Sequence, residues 1–513
     1  ITVSAAVEAT GAVALNSDDS VVMTAAASIT SVNGGASVAA GINAAAGDDG
    51  DLVLMSDGAR IDGGTGDVAV SAGGDVSIAH LVTTSANVTA VTVTSASGAI
   101  LDAGDTDLDI IAITGGINLV AVLGIGSGAS GSLDTRVASL DASNQSSGRI
   151  GVTDLDGLSV NAATQTRSGD IELVTLGGDL DIAIAGTGVR ILDADGAGDP
   201  ASVVLDARGG NLNVDQVVLD NHDNAGASVT LLSEANIEVR APLDVVAGNI
   251  TLRADGLLSF SVAGDVSAVG SGSVVAAADD DGGNDGIFMA DGTVIDAGAG
   301  EVSLVAGGRI TLGEVITTAT TAAAVTVQST ADEIVDGASV TNVVASGGTL
   351  VLSAATGIGA AGAIQTEVAA LVADNATVGR IAVAEVDELD ISRVHQAATG
   401  GISISAGGRT EVTAAGSGVV VNGTAALVAV VTLDTVDGDL VVANQVRNNS
   451  TDAGSSVVLT AGGALRDMFL GEAGTVVVDA GVVELGADGD ITLGEITSNS
   501  PSATAILITA TQG

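Results

Sequence analysis

Cysteine, tryptophan, tyrosine and lysine are all absent from this 513-residue chain, whose 14 basic residues are all Arg. Without Cys there are no disulfides, no thiolate metal sites and no cysteine nucleophile. Without Trp or Tyr the chain lacks the stacking surface of a sugar-processing groove and the aromatic core marks of an immunoglobulin-like sandwich. Cations are scarce as well: 63 acidic residues leave a net charge of −49, which repels nucleic acid. Apolar runs stay far below the ~18 residues of a spanning helix; the longest, around 425–433, is about half that. No positively charged, apolar-cored leader opens the chain at Ile1, so a processed chain or a segment of a longer one is expected. Disorder is excluded by what is present, a mean hydropathy of +0.54 carried by Ala, Val, Ile and Leu.

Two long repeats run through the chain. Residues 66–102, GDVAVSAGGDVSIAHLVTTSANVTAVTVTSASGAILD, align without a gap on 300–336, GEVSLVAGGRITLGEVITTATTAAAVTVQSTADEIVD, at an offset of 234. Downstream, 133–160 matches 364–391 at 231, and 225–231 matches 453–459 at 228. The small deletions behind this drift are what loops tolerate and packed strands do not. The superrepeat is therefore about 230 residues, with expected copies at 50–283 and 284–513 and residues 1–49 as the tail of a preceding copy. Within each copy Gly-Gly pairs begin at 73, 115 and 177, then at 307, 347 and 407, spacings close to multiples of 20–21. A fixed short period of this kind marks a stacked architecture.

The unit reads as strand. Apolar residues alternate with period two (Val68 and Val70, Val76 and Ile78, Val91 and Val93, Ile310 and Leu312), and Gly, Asn, Asp and Ser separate the runs. Helical signals are nearly absent: Glu is scarce, Lys is missing, and no apolar stripe recurs at i, i+3, i+4 and i+7. The predicted fold is all-β, a right-handed parallel β-helix, or β-solenoid, of about 21-residue coils, continuous from 1 to 513. Small and β-branched side chains fill its narrow core, and Gly and Asn turn its corners. About 24 coils at a strand spacing of ~4.8 Å give an expected length on the order of 115 Å.

Further motifs carry a family likeness. Gly124-Ile125-Gly126, then Leu133-Asp134-Thr135 and Ser147-Gly148-Arg149-Ile150, return as Gly357-Ile358-Gly359, Gln365-Thr366 and Gly379-Arg380-Ile381. With the GDITLG strand at 489–494 and the Gly98 to Asp102 element, the whole chain resembles the giant β-strand-repeat surface exoproteins of bacteria, the filamentous-haemagglutinin-like adhesins. The resemblance implies an extracellular, cell-surface location and a solenoid architecture.

Catalysis needs a constellation, and the scarce residues supply none. His80 aligns with Glu314, His395 with Thr164 and His222 with about Ser450, so no His keeps its place between copies. Each is read as an exposed, inert side chain, and the chain as a non-enzyme. Metal binding is the stronger functional reading. Asp193, Asp195 and Asp199 surround two glycines, and Asp279, Asp281 and Asp285 do the same. Hard carboxylate oxygens on a flexible Gly loop suit Ca²⁺, although no Glu follows at the twelfth position of the Asp193 loop, so it is not an EF-hand.

The expected function is structural: a rod, fibre or surface coat. The alternatives are an adhesin stalk that binds a receptor or glycan on a host or neighbouring cell, and an S-layer-like lattice protein. Strand patterns at both Ile1–Val3 and 505–509 leave edges open to pairing, so end-to-end or lateral self-association is expected. No nucleic acid and no membrane insertion is expected of this segment.

Overall fold

The structure is a computed structural model that describes residues 1–41, 51–104, 107–127, 131–146, 148–193, 201–279, 282–398, 400–423, 427–464 and 466–511. Among them are 54 strands and no helix. Period-two patterning becomes burial directly: in Val91–Ser95 the first, third and fifth side chains are buried and the two Thr between them are not. Neighbouring strands pair in parallel, each with a strand of the next coil, as in Val68–Ala72 against Val91–Ser95. This is a parallel β-solenoid. It divides into two compact units, Ile1–Ala254 with 263–269, and 255–262 with 270–513.

The first unit begins three-sided. One side stacks Thr2–Val3, Val21–Met23, Val53–Met55, Val76–Ile78 and Ile100–Asp102. A second carries Ala6–Ala9, Ser28–Ser31, Arg60–Asp62 and His80–Val82. A third carries Val13–Ser17, Ala36–Ala40, Val68–Ala72 and Val91–Ser95. The strand Ile110–Ala121 then serves both second and third sides, kinked between Ala112 and Gly116.

Further along, the corners move. Leu133 to Thr135 pair with Val152 to Asp154, while Ile125 bridges to Ile150, so two sides converge on the strand Ile150–Asp154. In compensation Leu158–Gln165 pairs through its first half with Leu180–Ile182 and through its second with Gly188–Ile191, and one side becomes two. The coil keeps three sides because merger and division occur together. The second unit contains the same event. Strands Val343–Ala354, Ile364–Asn375, Ile381–Glu385, Leu389–Gln396, Ile402–Ala406, Thr410–Val412 and Gly418–Val421 are 12, 12, 5, 8, 5, 3 and 4 residues long. Their counterparts from Ile110–Ala121 to Gly188–Ile191 have the same lengths.

Coil length is not uniform. Thr2 pairs with Val22 and Ile150 with Ile171, steps of 20 and 21 residues, but Val21 pairs with Val53 and Ile171 with Val203, steps of 32. The 21-residue spacing is thus the short coil, and the longer ones carry extra residues at corners, where chain length does not disturb ladder pairing. The Gly-Gly pairs are not a ruler for coils either. Gly73 and Gly74 lead into Val76–Ile78 on the first side, whereas Gly115 and Gly116 lie inside Ile110–Ala121, between the second and third.

The core of each unit is a set of aliphatic ladders. In the first, Ile117, Leu140, Val160, Ile182, Val214 and Val239 stack in register and are fully buried. In the second, Leu350, Leu371, Ile391, Val412, Val442 and Leu470 stack likewise and are buried. Burying one such side chain is worth ~1.5–3 kcal/mol, and repetition along a ladder replaces the aromatic anchors the chain lacks. Phe260 alone of the three Phe is buried.

Candidate functional site

Of the six carboxylates expected to bind calcium, three are described: Asp193, Asp279 and Asp285. Asp193 follows the strand Gly188–Ile191 with a left-handed φ of 47°, and Asp279 follows Val274–Ala278 with φ of 70°. Asp195, Asp199 and Asp281 lie outside the described residues. The Asp279 carboxylate lies over Gly307 of the next coil, so close that any Cβ there would collide with it. Asp285 precedes Ile287–Met289, and its backbone carbonyl accepts the Gly308 N–H at 2.7 Å. Among the described residues no group of three His, Asp or Glu side chains is arranged to hold an ion.

Asp193 instead meets a histidine. His222 is not a surface residue, contrary to its expected place: it is 0 % exposed. It follows the strand Val218–Asp220, whose burial alternation turns Asp220 inward, and two residues on, His222 turns inward too. Asp220 Oδ1 accepts from His222 N at 3.2 Å and lies 3.0 Å from His222 Nδ1. On the other side of the ring, Nε2 is 3.6 Å from Asp193 Oδ1. Burial, the first cause, raises the Asp220 carboxyl above the usual Asp range, and the His222 hydrogen bonds oppose it. His80 and His395 are partly exposed; His80 Nδ1 donates to the Leu108 carbonyl at 2.6 Å, and Asn422 Nδ2 donates to His395 Nε2 at 2.6 Å.

A second feature escaped the sequence reading. Asp154 and Glu385 occupy inward positions of Ile150–Asp154 and Ile381–Glu385, where the two sides converge. Asp154 Oδ2 accepts from Thr135 Oγ1 at 2.8 Å and from Val137 N at 3.0 Å. Glu385 Oε2 accepts from Thr366 Oγ1 at 2.7 Å and from Val368 N at 3.1 Å. Desolvation outweighs these bonds and pushes Asp154 up to about 6 and Glu385 up to about 7. An acid at the third inward position of an otherwise aliphatic strand, in both repeats, was the available signal.

The raised values fix the sign of a pH effect. Folding favours the protonated carboxyls, so their stabilisation is complete below about pH 4 and is lost as pH rises through about 7. At ~1.4 kcal/mol per pH unit, Glu385 should contribute on the order of 2–3 kcal/mol. Urea midpoints measured from pH 4 to 8 should converge for wild type and Glu385→Gln at the acid end. The variant should be the more stable by that amount at pH 8. Parallel pH curves for the two proteins would show that Glu385 does not titrate in this range.

Two outward clefts lie on the second unit. One, of about 710 Å³, is lined by Glu367, Asp387, Glu388, Asp390, Arg409 and Asp437, and its acidic wall favours cations. The other, of about 500 Å³, gathers Arg393, His395, Asn422, Gln445, Arg447 and Asn449. Arg393 pairs with Asp374, and Arg447 Nε donates to Asn449 Oδ1, so both guanidinium groups are already held in place. The row offers polar donors for a polyol or a carboxylate.

The fold defines the class: this is a β-solenoid repeat protein. Comparison with family models, curated proteins and solved structures finds no match to the chain.

Proposed function

We propose that the chain is an extracellular, cell-surface structural protein whose solenoid builds a rod, fibre or surface coat without catalysis. The observation that carries this reading is the uninterrupted aliphatic ladder in each unit, Ile117 to Val239 and Leu350 to Leu470. Such ladders add length coil by coil at nearly constant gain per coil, which is what an extended scaffold requires. The resemblance to filamentous-haemagglutinin-like exoproteins points the same way, as does an outward surface of Thr, Ser and Asp. A net charge of −49 opposes contact between copies, so divalent cations and salt should promote self-association. Calcium enters this reading as a bridge between surface carboxylates of neighbouring copies.

A second reading, an adhesin that binds a receptor or glycan, is favoured by the Arg393 to Asn449 cleft and its prearranged donors. Electron microscopy and light scattering of the purified chain, with Ca²⁺ and then with a chelator, test the scaffold reading. Filaments or lateral bundles should form with Ca²⁺ or high salt and disperse on chelation at low salt. Isolated particles under all conditions would remove self-assembly and leave the adhesin reading. Glycan-array binding lost in Arg447→Ala would then support that reading.

A further inference from the structure

We propose that His222 and Asp193 form a binding site for one divalent metal of the borderline, Zn²⁺-like class, with Asp220 as the residue that orients the imidazole. The side chains of His222 and Asp220 are 0 % exposed and that of Asp193 is 7 % exposed. The two atoms that face each other, His222 Nε2 and Asp193 Oδ1, have no hydrogen-bond partner. A buried polar atom left unpaired is costly, so the facing pair calls for a group that satisfies both.

The geometry selects the group. Asp220 Oδ1 holds the proton on His222 Nδ1 at 3.0 Å, which leaves the Nε2 lone pair pointing at Asp193 Oδ1. A carboxylate behind a metal-binding imidazole is the usual means of fixing its tautomer and raising its basicity. The 3.6 Å between Nε2 and Oδ1 exceeds the ~2.7–2.9 Å of an imidazolium–carboxylate hydrogen bond. Two ligands each ~2.0–2.2 Å from a tetrahedral ion stand ~3.3–3.6 Å apart, which fits. An imidazole nitrogen beside one carboxylate favours Zn²⁺ over Ca²⁺, which prefers a shell of oxygens.

The second unit makes the same turn without these groups. There Asn448 Oδ1 accepts from Ser450 N at 3.1 Å, as Asp220 Oδ1 accepts from His222 N. Asn448 Nδ2 donates to the Ala429 and Ser456 carbonyls, and Ser450 Oγ donates to the Leu427 carbonyl. The backbone conformation therefore requires neither a histidine nor a carboxylate, and the Asp–His pair serves something the turn does not need.

Three histidines in the chain make the test direct. In a full-length sample labelled with ¹⁵N at histidine, one equivalent of Zn²⁺ should move the Nε2 resonance of His222 and leave His80 and His395 in place. Competition with a chromogenic chelator should find one tight equivalent, weakened at least 100-fold in His222→Ser and at least tenfold in Asp193→Asn. A hundredfold excess of Ca²⁺ should not displace it. His222→Ser copies the Ser450 turn and should keep the wild-type circular dichroism; should it not fold, Asp193→Asn carries the test. An unmoved His222 resonance, a tight site that survives both substitutions, or equal competition by Ca²⁺ each overturns the proposal.

Discussion

Leu140→Asp should abolish cooperative folding of the first unit, lowering its stability by more than about 5 kcal/mol. Leu140 is stacked between Ile117 and Val160, and all three are fully buried. Removing the side chain alone forfeits ~2–5 kcal/mol, and a carboxyl without donors adds a desolvation cost of several more. Asp154 shows why position matters more than residue type. It is just as buried, yet Thr135 Oγ1 and Val137 N donate to it. No polar side chain flanks Leu140 in its ladder. Urea unfolding followed by circular dichroism, with Leu140→Met as a volume-conserving control expected within ~1.5 kcal/mol of wild type, measures the effect. A midpoint for Leu140→Asp close to that of Leu140→Met would show that the ladder does not carry the stability assigned to it.

Gly379→Ala should destabilise the second unit by at least about 3 kcal/mol, far more than the change of one hydrogen to a methyl suggests. Two costs add. Gly379 has φ of 118°, a conformation open to glycine and strained by ~1–3 kcal/mol for other residues. A Cβ would also collide with the Thr356 carbonyl oxygen and stand 3.0 Å from Gly357 Cα, backbone atoms that cannot swing aside. Gly131 separates the two terms: its φ is 109°, but nothing lies within 4 Å of an added Cβ. Gly131→Ala should therefore cost only the dihedral term, and the difference between the variants in thermal unfolding reports the collision. Equal costs would mean that the coil beneath yields.

The strands, their inward faces and the two long repeats were legible in the sequence because each is a local property. A residue such as Val93 is buried because its neighbours alternate with it, and the next coil supplies another small apolar side chain whichever coil it is. The Asp154 and Glu385 positions were legible in principle, as acids breaking that alternation in both repeats. Other features were not. Gly-Gly pairs look alike in sequence, yet Gly73 and Gly115 stand at different corners, because a corner is defined by the coil it sits on. His222 lies in LDNHDNAG, a polar stretch that reads as surface, and the inward turn that buries it brings it against Asp193, 29 positions earlier.

What the sequence by itself determined is a parallel solenoid of small aliphatic ladders, duplicated at about 230 residues, since period, residue size and offset need no knowledge of distant contacts. What only the tertiary structure decided is where sides merge and divide, which acids lose water, and which aspartate meets the buried histidine. These depend on coil-to-coil register, and the variable coil lengths, with steps from 19 to 32 residues, set that register coil by coil.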